Sequence, residues 1–188
     1  MGTTQIFKIG TALGLAAALS ACAFGRTYSY SDTPISLQAV SSTGAVTVAV
    51  QDERPYVISG AKPTRFVGLM RGGFGNPFDV NTSSGGPLAK EIGDAIVRAM
   101  KARGIDARPV EVQPNESMIA VKRDLNATRP HRGVLVTLRE WKSDTMMSTD
   151  LHYDVSLTVF DESGNGIASS SIRGMDNLGS LGMSPNEG

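Results

Sequence analysis

A single cysteine, Cys22, stands in the 188 residues, so no disulfide can form within the chain and no thiolate cluster can hold a metal. Histidine is nearly as scarce: there are only His131 and His152. Neither lies near a Gly-x-Ser-x-Gly nucleophile pattern, so a Ser-His-Asp triad has no sequence support. No excess of one charge sign exists, with 18 basic residues against 18 acidic ones, which removes the electrostatic footprint that nucleic-acid binding requires. The apolar run from Ile9 to Leu19 is too short to span a bilayer as a helix, which takes about 20 residues.

What that short run does fit is an export signal. Lys8 precedes it as the one cation, and Leu19-Ser20-Ala21-Cys22 closes it with a lipobox pattern. Small Ser20 and Ala21 let an extended backbone enter a peptidase groove, Leu19 fills an apolar pocket, and the Cys22 thiol accepts a diacylglyceryl group. The reading is a signal peptide over residues 1–21, cleavage between Ala21 and Cys22, and a lipidated Cys22 that holds the chain to a bilayer. Three acyl chains, each contributing about 0.8 kcal/mol per buried methylene, make such attachment effectively permanent. Lipidation turns the only sulfur into a thioether, so a cysteine nucleophile is excluded as well.

Residues 22–43 are mostly small, polar or turn-forming, which suits a tether, and residues 44–177 are expected to form one domain, followed by a flexible tail over residues 178–188. Val46, Val48 and Val50 alternate with Thr47 and Ala49, giving a strand with one heavy and one slim face. Gln51-Asp52-Glu53-Arg54-Pro55 breaks it, with Asp52-x-Arg54-Pro55 read as a turn held by a local ion pair. Tyr56–Ile58 and Phe66–Leu69 read as short strands or edge segments around Ser59-Gly60-Ala61-Lys62-Pro63. Leu88, Ile92, Ala95, Ile96, Ala99 and Met100 recur at helical spacing between Pro87 and Gly104, with Lys90, Glu91, Asp94, Arg98 and Lys101 on the polar face. Ile105–Val112 is a strand that Pro109 places near an edge. Asn115 caps a shorter helix through about Ala127, with Met118, Val121 and Leu125 inward. Three strands of an antiparallel meander follow, Gly133–Trp141, Asp150–Asp161 and Gly166 to about Met175. The first two are joined by a long loop over Lys142–Thr149.

The most unusual composition lies at Arg71-Gly72-Gly73-Phe74-Gly75-Asn76-Pro77-Phe78. Phe78 stands where a dinucleotide fingerprint needs its third glycine, and the Gly-Lys-Ser/Thr ending of a phosphate loop is missing. A lone Arg-Gly-Gly is weak evidence for nucleic acid. The bland reading is a surface loop whose phenylalanines fold back on the domain. The sharper one is a partner-binding loop with Arg71, Phe74, Gly72, Gly73 and Gly75, in which Phe74 supplies apolar area and Arg71 a forked donor set. Asp150, His152 and Asp154 share one strand face, but three short polar side chains there are best read as a solvated face rather than a metal site. No metal, cofactor or catalytic residue is expected.

The lipobox, the valine-rich first strand, the helix ending in Met100-Lys101-Ala102-Arg103-Gly104-Ile105, and the run from Val134 to Trp141 with a meander through Gly164-Asn165-Gly166 resemble the YajG-like family of uncharacterised bacterial lipoproteins. That resemblance implies an outer-membrane lipoprotein facing the periplasm, with no catalytic residues to carry over. The segment from Asp52 to Pro77 is longer and richer in glycine than the family pattern, and the family continues into a further amphipathic helix where this chain stops. The expected fold is an α/β two-layer sandwich, two helices on a mixed sheet with an antiparallel C-terminal meander. The expected function is a non-enzymatic accessory or scaffold that binds an envelope protein partner. The alternatives are a subunit of a secretion or lipid-transport assembly and a periplasmic hydrolase.

Overall fold

The structure is a computed structural model, and it describes residues 27–30, 33–35 and 44–180. Cys22, the lipobox and residues 181–188 lie outside the described residues. In chain order the elements are β1 (Thr27–Tyr28), β2 (Val46–Asp52), α1 (Pro55–Ile58), β3 (Phe66–Arg71), β4 (Pro77–Thr82), α2 (Leu88–Ala102), β5 (Ala107–Val110), α3 (Met118–Asn126), β6 (Arg132–Thr145), β7 (Ser148–Phe160) and β8 (Gly166–Ser180).

All eight strands belong to one mixed sheet built around β6. One edge of β6 takes β7 antiparallel along nearly its whole length, and β8 continues the meander beyond β7. The other edge is divided: β2 runs parallel to residues Arg132–Leu138, and β3 runs parallel to Ser143–Thr145. β5 flanks β2, and β4 and then β1 flank β3. Pro109 sits on β5, an edge strand of the sheet among the described residues, the kind of place where proline is tolerated.

The expected two-layer sandwich is overturned. Among the described residues strand outweighs helix, 46% to 20%, and the sheet curls into a mixed half-barrel. The two long helices also lie on opposite faces. α2 covers the heavy face of β2, where Val97, Ile105 and Ala107 pack on Val46, Val48 and Val134, and Leu88 packs on Val50, Val136 and Leu138. α3 covers the slim face, with Val121 and Leu125 against Ala49, Leu135 and Phe160. The slim residues are what allow a helix to come close there: the Thr47 hydroxyl donates to the Leu125 carbonyl at 2.9 Å, and the Gln51 amide donates to the Glu116 carbonyl at 2.7 Å.

Smaller differences have local causes. Residues Pro55–Ile58 form a helical turn rather than a strand, because Pro55 occupies the first helical position with φ already set. α3 is capped by Ser117, whose hydroxyl accepts from the Ala120 N–H, instead of by Asn115. Glu91, assigned to a solvated face, is buried, and its carboxylate accepts the backbone N–H of Tyr30 at 2.9 Å and a short hydrogen bond from the Ser84 hydroxyl. It thereby fastens the segment after β1 to α2. β6 continues through Thr145, so the supposed long loop shrinks to a tight hairpin at Met146–Met147. β8 runs on to Ser180 because β7 supplies its hydrogen-bond partners.

Candidate functional site: a rim of hairpin tips

β3 runs parallel to the end of β6, so the hairpin after β3 and the hairpin after β6 emerge at the same end of the sheet. β8 finishes there too, since Ser148 at the start of β7 pairs with Ser180. Several exposed large apolar side chains lie at this end: Phe74 is fully exposed, Met147 82% and Leu178 61%, with Met146 and Phe78 about half exposed.

Gly72–Asn76 forms the β3–β4 turn. The Gly72 N–H donates to the Asn76 carbonyl at 2.9 Å, the Gly75 N–H donates to the Gly72 carbonyl at 2.8 Å, and Gly75 adopts a left-handed φ of 80° that glycine tolerates best. Gly73 has open space around it. The Phe78 ring folds back over Gly72, while Phe74 does not fold back at all. The guanidinium of Arg71 is engaged within the chain: Nε and Nη2 donate to the two carboxylate oxygens of Asp144 at 2.8 and 2.6 Å. This forked pair ties the end of β3 to the end of β6 and braces both hairpins against one another. Phe74 is therefore carried on a turn ordered by its own backbone bonds. The bracing role of Asp144 and the two methionine positions had no signal in the sequence, since both depend on β3 and β6 being neighbours.

Arg71 beside Asp144 holds that carboxyl below its ordinary range. A depressed folded-state value means the pair supports the fold above the unfolded carboxylate value, about 3.9, and that support is lost as pH falls through the folded value. Arg71→Ala should move the Asp144 carboxyl back upward in a carbon-detected NMR titration. The stability difference between the two proteins should shrink below that window, and an unmoved Asp144 would show that the pair is not formed.

Clefts also open elsewhere on the described surface. A polar one of about 740 Å3 is lined by Glu53, Arg139, Glu140, Lys142, Asp154 and Arg173 on the α3 side of the sheet. Its acids have partners: Arg173 Nε lies 3.0 Å from Asp154, Arg139 lies 3.7 Å from Glu53, and Glu140 accepts the Tyr56 hydroxyl at 2.7 Å. Burial, with Glu140 adding to it, pushes the Tyr56 phenol upward, so it stays a hydrogen-bond donor. On β7, Asp150 accepts the Asn177 amide at 2.7 Å, and Asp154 lies 3.0 Å from Arg173 Nε. Among the described residues no three such side chains stand close enough to hold a metal ion.

The second cleft is an apolar trough of about 470 Å3 between α2 and β6–β8, lined by Ile92, Ile96, Trp141, Val155, Leu157 and Ile172. On β7, Val155 packs against the core, while Leu157 stays 38% exposed. Tyr30 stands edge-on to Trp141 at the trough, with ring centroids 6.0 Å apart.

No family model matches the chain, and no curated protein matches its sequence. Among solved structures it is similar to a DUF330 family protein of Xanthomonas campestris, at 11% identity and a TM-score of 0.42, over 74% of this chain and 68% of that one. A dodecameric PelC of Paraburkholderia phytofirmans is similar at 12% identity and a TM-score of 0.41, over 71% and 70%. The lipoprotein GNA1162 of Neisseria meningitidis is similar at 11% identity and a TM-score of 0.32, over 71% and 83%. Likeness at this level assigns neither family nor function. Among the described residues, no helix is long and apolar enough to cross a membrane.

Proposed function

We propose that the chain is a lipid-anchored accessory protein of the bacterial outer membrane, facing the periplasm, that works by binding another envelope component rather than by catalysis. The observation that carries this reading is the rim: a fully exposed Phe74 on a braced turn, beside the exposed methionines of the neighbouring hairpin. An apolar side chain so displayed gains free energy only when something covers it. The lipobox at Leu19-Ser20-Ala21-Cys22 and the resemblance to YajG-like lipoproteins support the anchor and the address. The polar cleft supports the non-enzymatic half, because Glu53, Glu140 and Asp154 are each engaged by a neighbour.

The test pairs two measurements in intact cells. Labelled fatty acid should enter the wild-type protein and be absent from Cys22→Ser. A photoreactive phenylalanine analogue at position 74 should give a covalent adduct on irradiation, whereas the same analogue at Ser163, in the turn between β7 and β8 at the far end of the sheet, should give none. Absence of label overturns the anchor, and absence of an adduct at position 74 overturns the rim as the binding surface.

A further inference from the structure

The direction of β1 says what the rim meets. β4 runs from Pro77 at the rim down to Thr82, and β1 lies parallel to it, with Thr27 beside Asn81 and Tyr28 beside Thr82. The chain therefore enters β1 from the rim side. Five peptide units separate Cys22 from Thr27, a reach of at most about 17 Å. The rise of β4 from Asn81 back to Pro77 is four residues, about 13 Å of strand. An acylated Cys22 can thus stand level with the base of the β3–β4 hairpin, and a bilayer that holds its acyl chains lies within reach of the turn that carries Phe74.

We infer that the hairpin tips at Phe74 and at Met146–Met147 insert into the same leaflet that holds the acyl chains of Cys22, so that the envelope component met by the rim is the bilayer itself. This rests on the anchor reading given above. The chemistry of the tips agrees with an interfacial site. Phe74, Met146 and Met147 are exposed apolar side chains carried on turns, and aromatic and apolar residues on a polar body partition at the boundary between headgroups and acyl chains. The order of the tips matters as much as their composition. The Arg71–Asp144 pair and the two backbone bonds across Gly72–Asn76 fix the β3–β4 turn before any contact, so insertion need not order a loose loop. With a lipid attachment at one point and two ordered tips beside it, the domain is held in one orientation, β7–β8 turn outward.

The experiment uses the full chain, processed in cells and reconstituted into vesicles of phosphatidylethanolamine and phosphatidylglycerol, with or without brominated acyl chains. Phe74→Trp reports the tip, Ser163→Trp reports the far turn, and the parent, which contains Trp141, supplies the background. Phe74→Trp should show a blue-shifted emission that brominated chains quench at least twofold beyond the parent, and Ser163→Trp should show no added quenching. Mass spectrometry of the N-terminal peptide reads acylation of Cys22 in the same samples. An acylated Cys22 with an unquenched tip overturns the insertion and leaves the anchor standing. A quenched tip on an unacylated chain overturns the anchor, and with it the inference that tips and acyl chains share a leaflet, and an unquenched tip on an unacylated chain overturns insertion altogether. A protein rather than a lipid adduct at position 74 in cells also overturns insertion, while the rim remains a binding surface.

Discussion

Arg54→Met is expected to lower the unfolding free energy by about 3–5 kcal/mol, the cost of breaking a buried ion pair from one side. Arg54 is fully buried and Asp52 nearly so. Nε and Nη2 of Arg54 each donate at 2.7 Å to the Asp52 carboxylate, one to each oxygen. Nη1 donates to the carbonyls of Phe66, at 2.6 Å, and Trp141, at 3.2 Å, and Nη2 also reaches the Thr64 carbonyl at 3.3 Å. These partners mark the place where β6 exchanges one neighbour for another. β2 leaves its edge after Leu138 and β3 joins only at Ser143, so carbonyls in the gap have no ladder partner there. Arg54 supplies a donor there, at the Trp141 carbonyl, which the Tyr56 hydroxyl also reaches at 3.2 Å. Methionine keeps much of the volume but leaves a buried carboxylate and the carbonyls without a cation. Urea unfolding of Arg54→Met should be compared with Arg108→Met, whose side chain is 58% exposed and which should stay within about 0.5 kcal/mol of wild type. Equal shifts in the two variants would rule out this account of the junction.

Gly68→Ala should destabilise by about 3 kcal/mol, the upper end of what overpacking costs. Gly68 lies opposite Ser143 where β3 meets β6, and a methyl group there would clash with the Ser143 hydroxyl and stand 2.5 Å from the Ser143 carbonyl oxygen. The hydroxyl can rotate away, but the carbonyl belongs to the backbone of the central strand and can move only if the strands part. Only Gly68, Leu69 and Met70 pair with β6, so parting them frees β3, β4 and the hairpin bearing Phe74 together. Gly73→Ala has nothing within reach of the added methyl and serves as the control. A melting midpoint for Gly68→Ala no lower than that of Gly73→Ala would mean that the approach of the two strands is looser than described. Hydrogen exchange should place the loss in β3 and β4, leaving β2 protected.

Much of the local structure was legible because periodicity reports which side of an element is apolar. Val46, Val48 and Val50 marked the heavy face of β2, Leu88 and Ala95 the buried stripe of α2, and Pro109 an edge. The same signal misplaced Glu91 on a solvated face, because a carboxylate can be buried when backbone N–H and hydroxyl donors meet it, and those donors come from Tyr30 and Ser84, distant in sequence or on a separate turn. It also truncated β6 and β8. Their outer halves are polar or rich in serine and glycine, and they are strands because β7 lies between them and pairs with both.

By itself the sequence determined the single thiol, the apolar stripes of β2 and α2, the turn at Asp52–Pro55 and the glycine-rich segment around Phe74. Each of these is written in neighbouring residues, where spacing along the chain is also spacing in space. Tertiary structure decided that α2 and α3 take opposite faces, that Arg54 becomes the buried donor at the junction of β2, β3 and β6, and that Arg71 is held by Asp144, 73 positions away. It also brought Phe74, Met146 and Leu178 to one rim. These outcomes depend on which strands become neighbours, and strand pairing is set by the backbone ladder and the packing of whole faces, which no short window of residues contains.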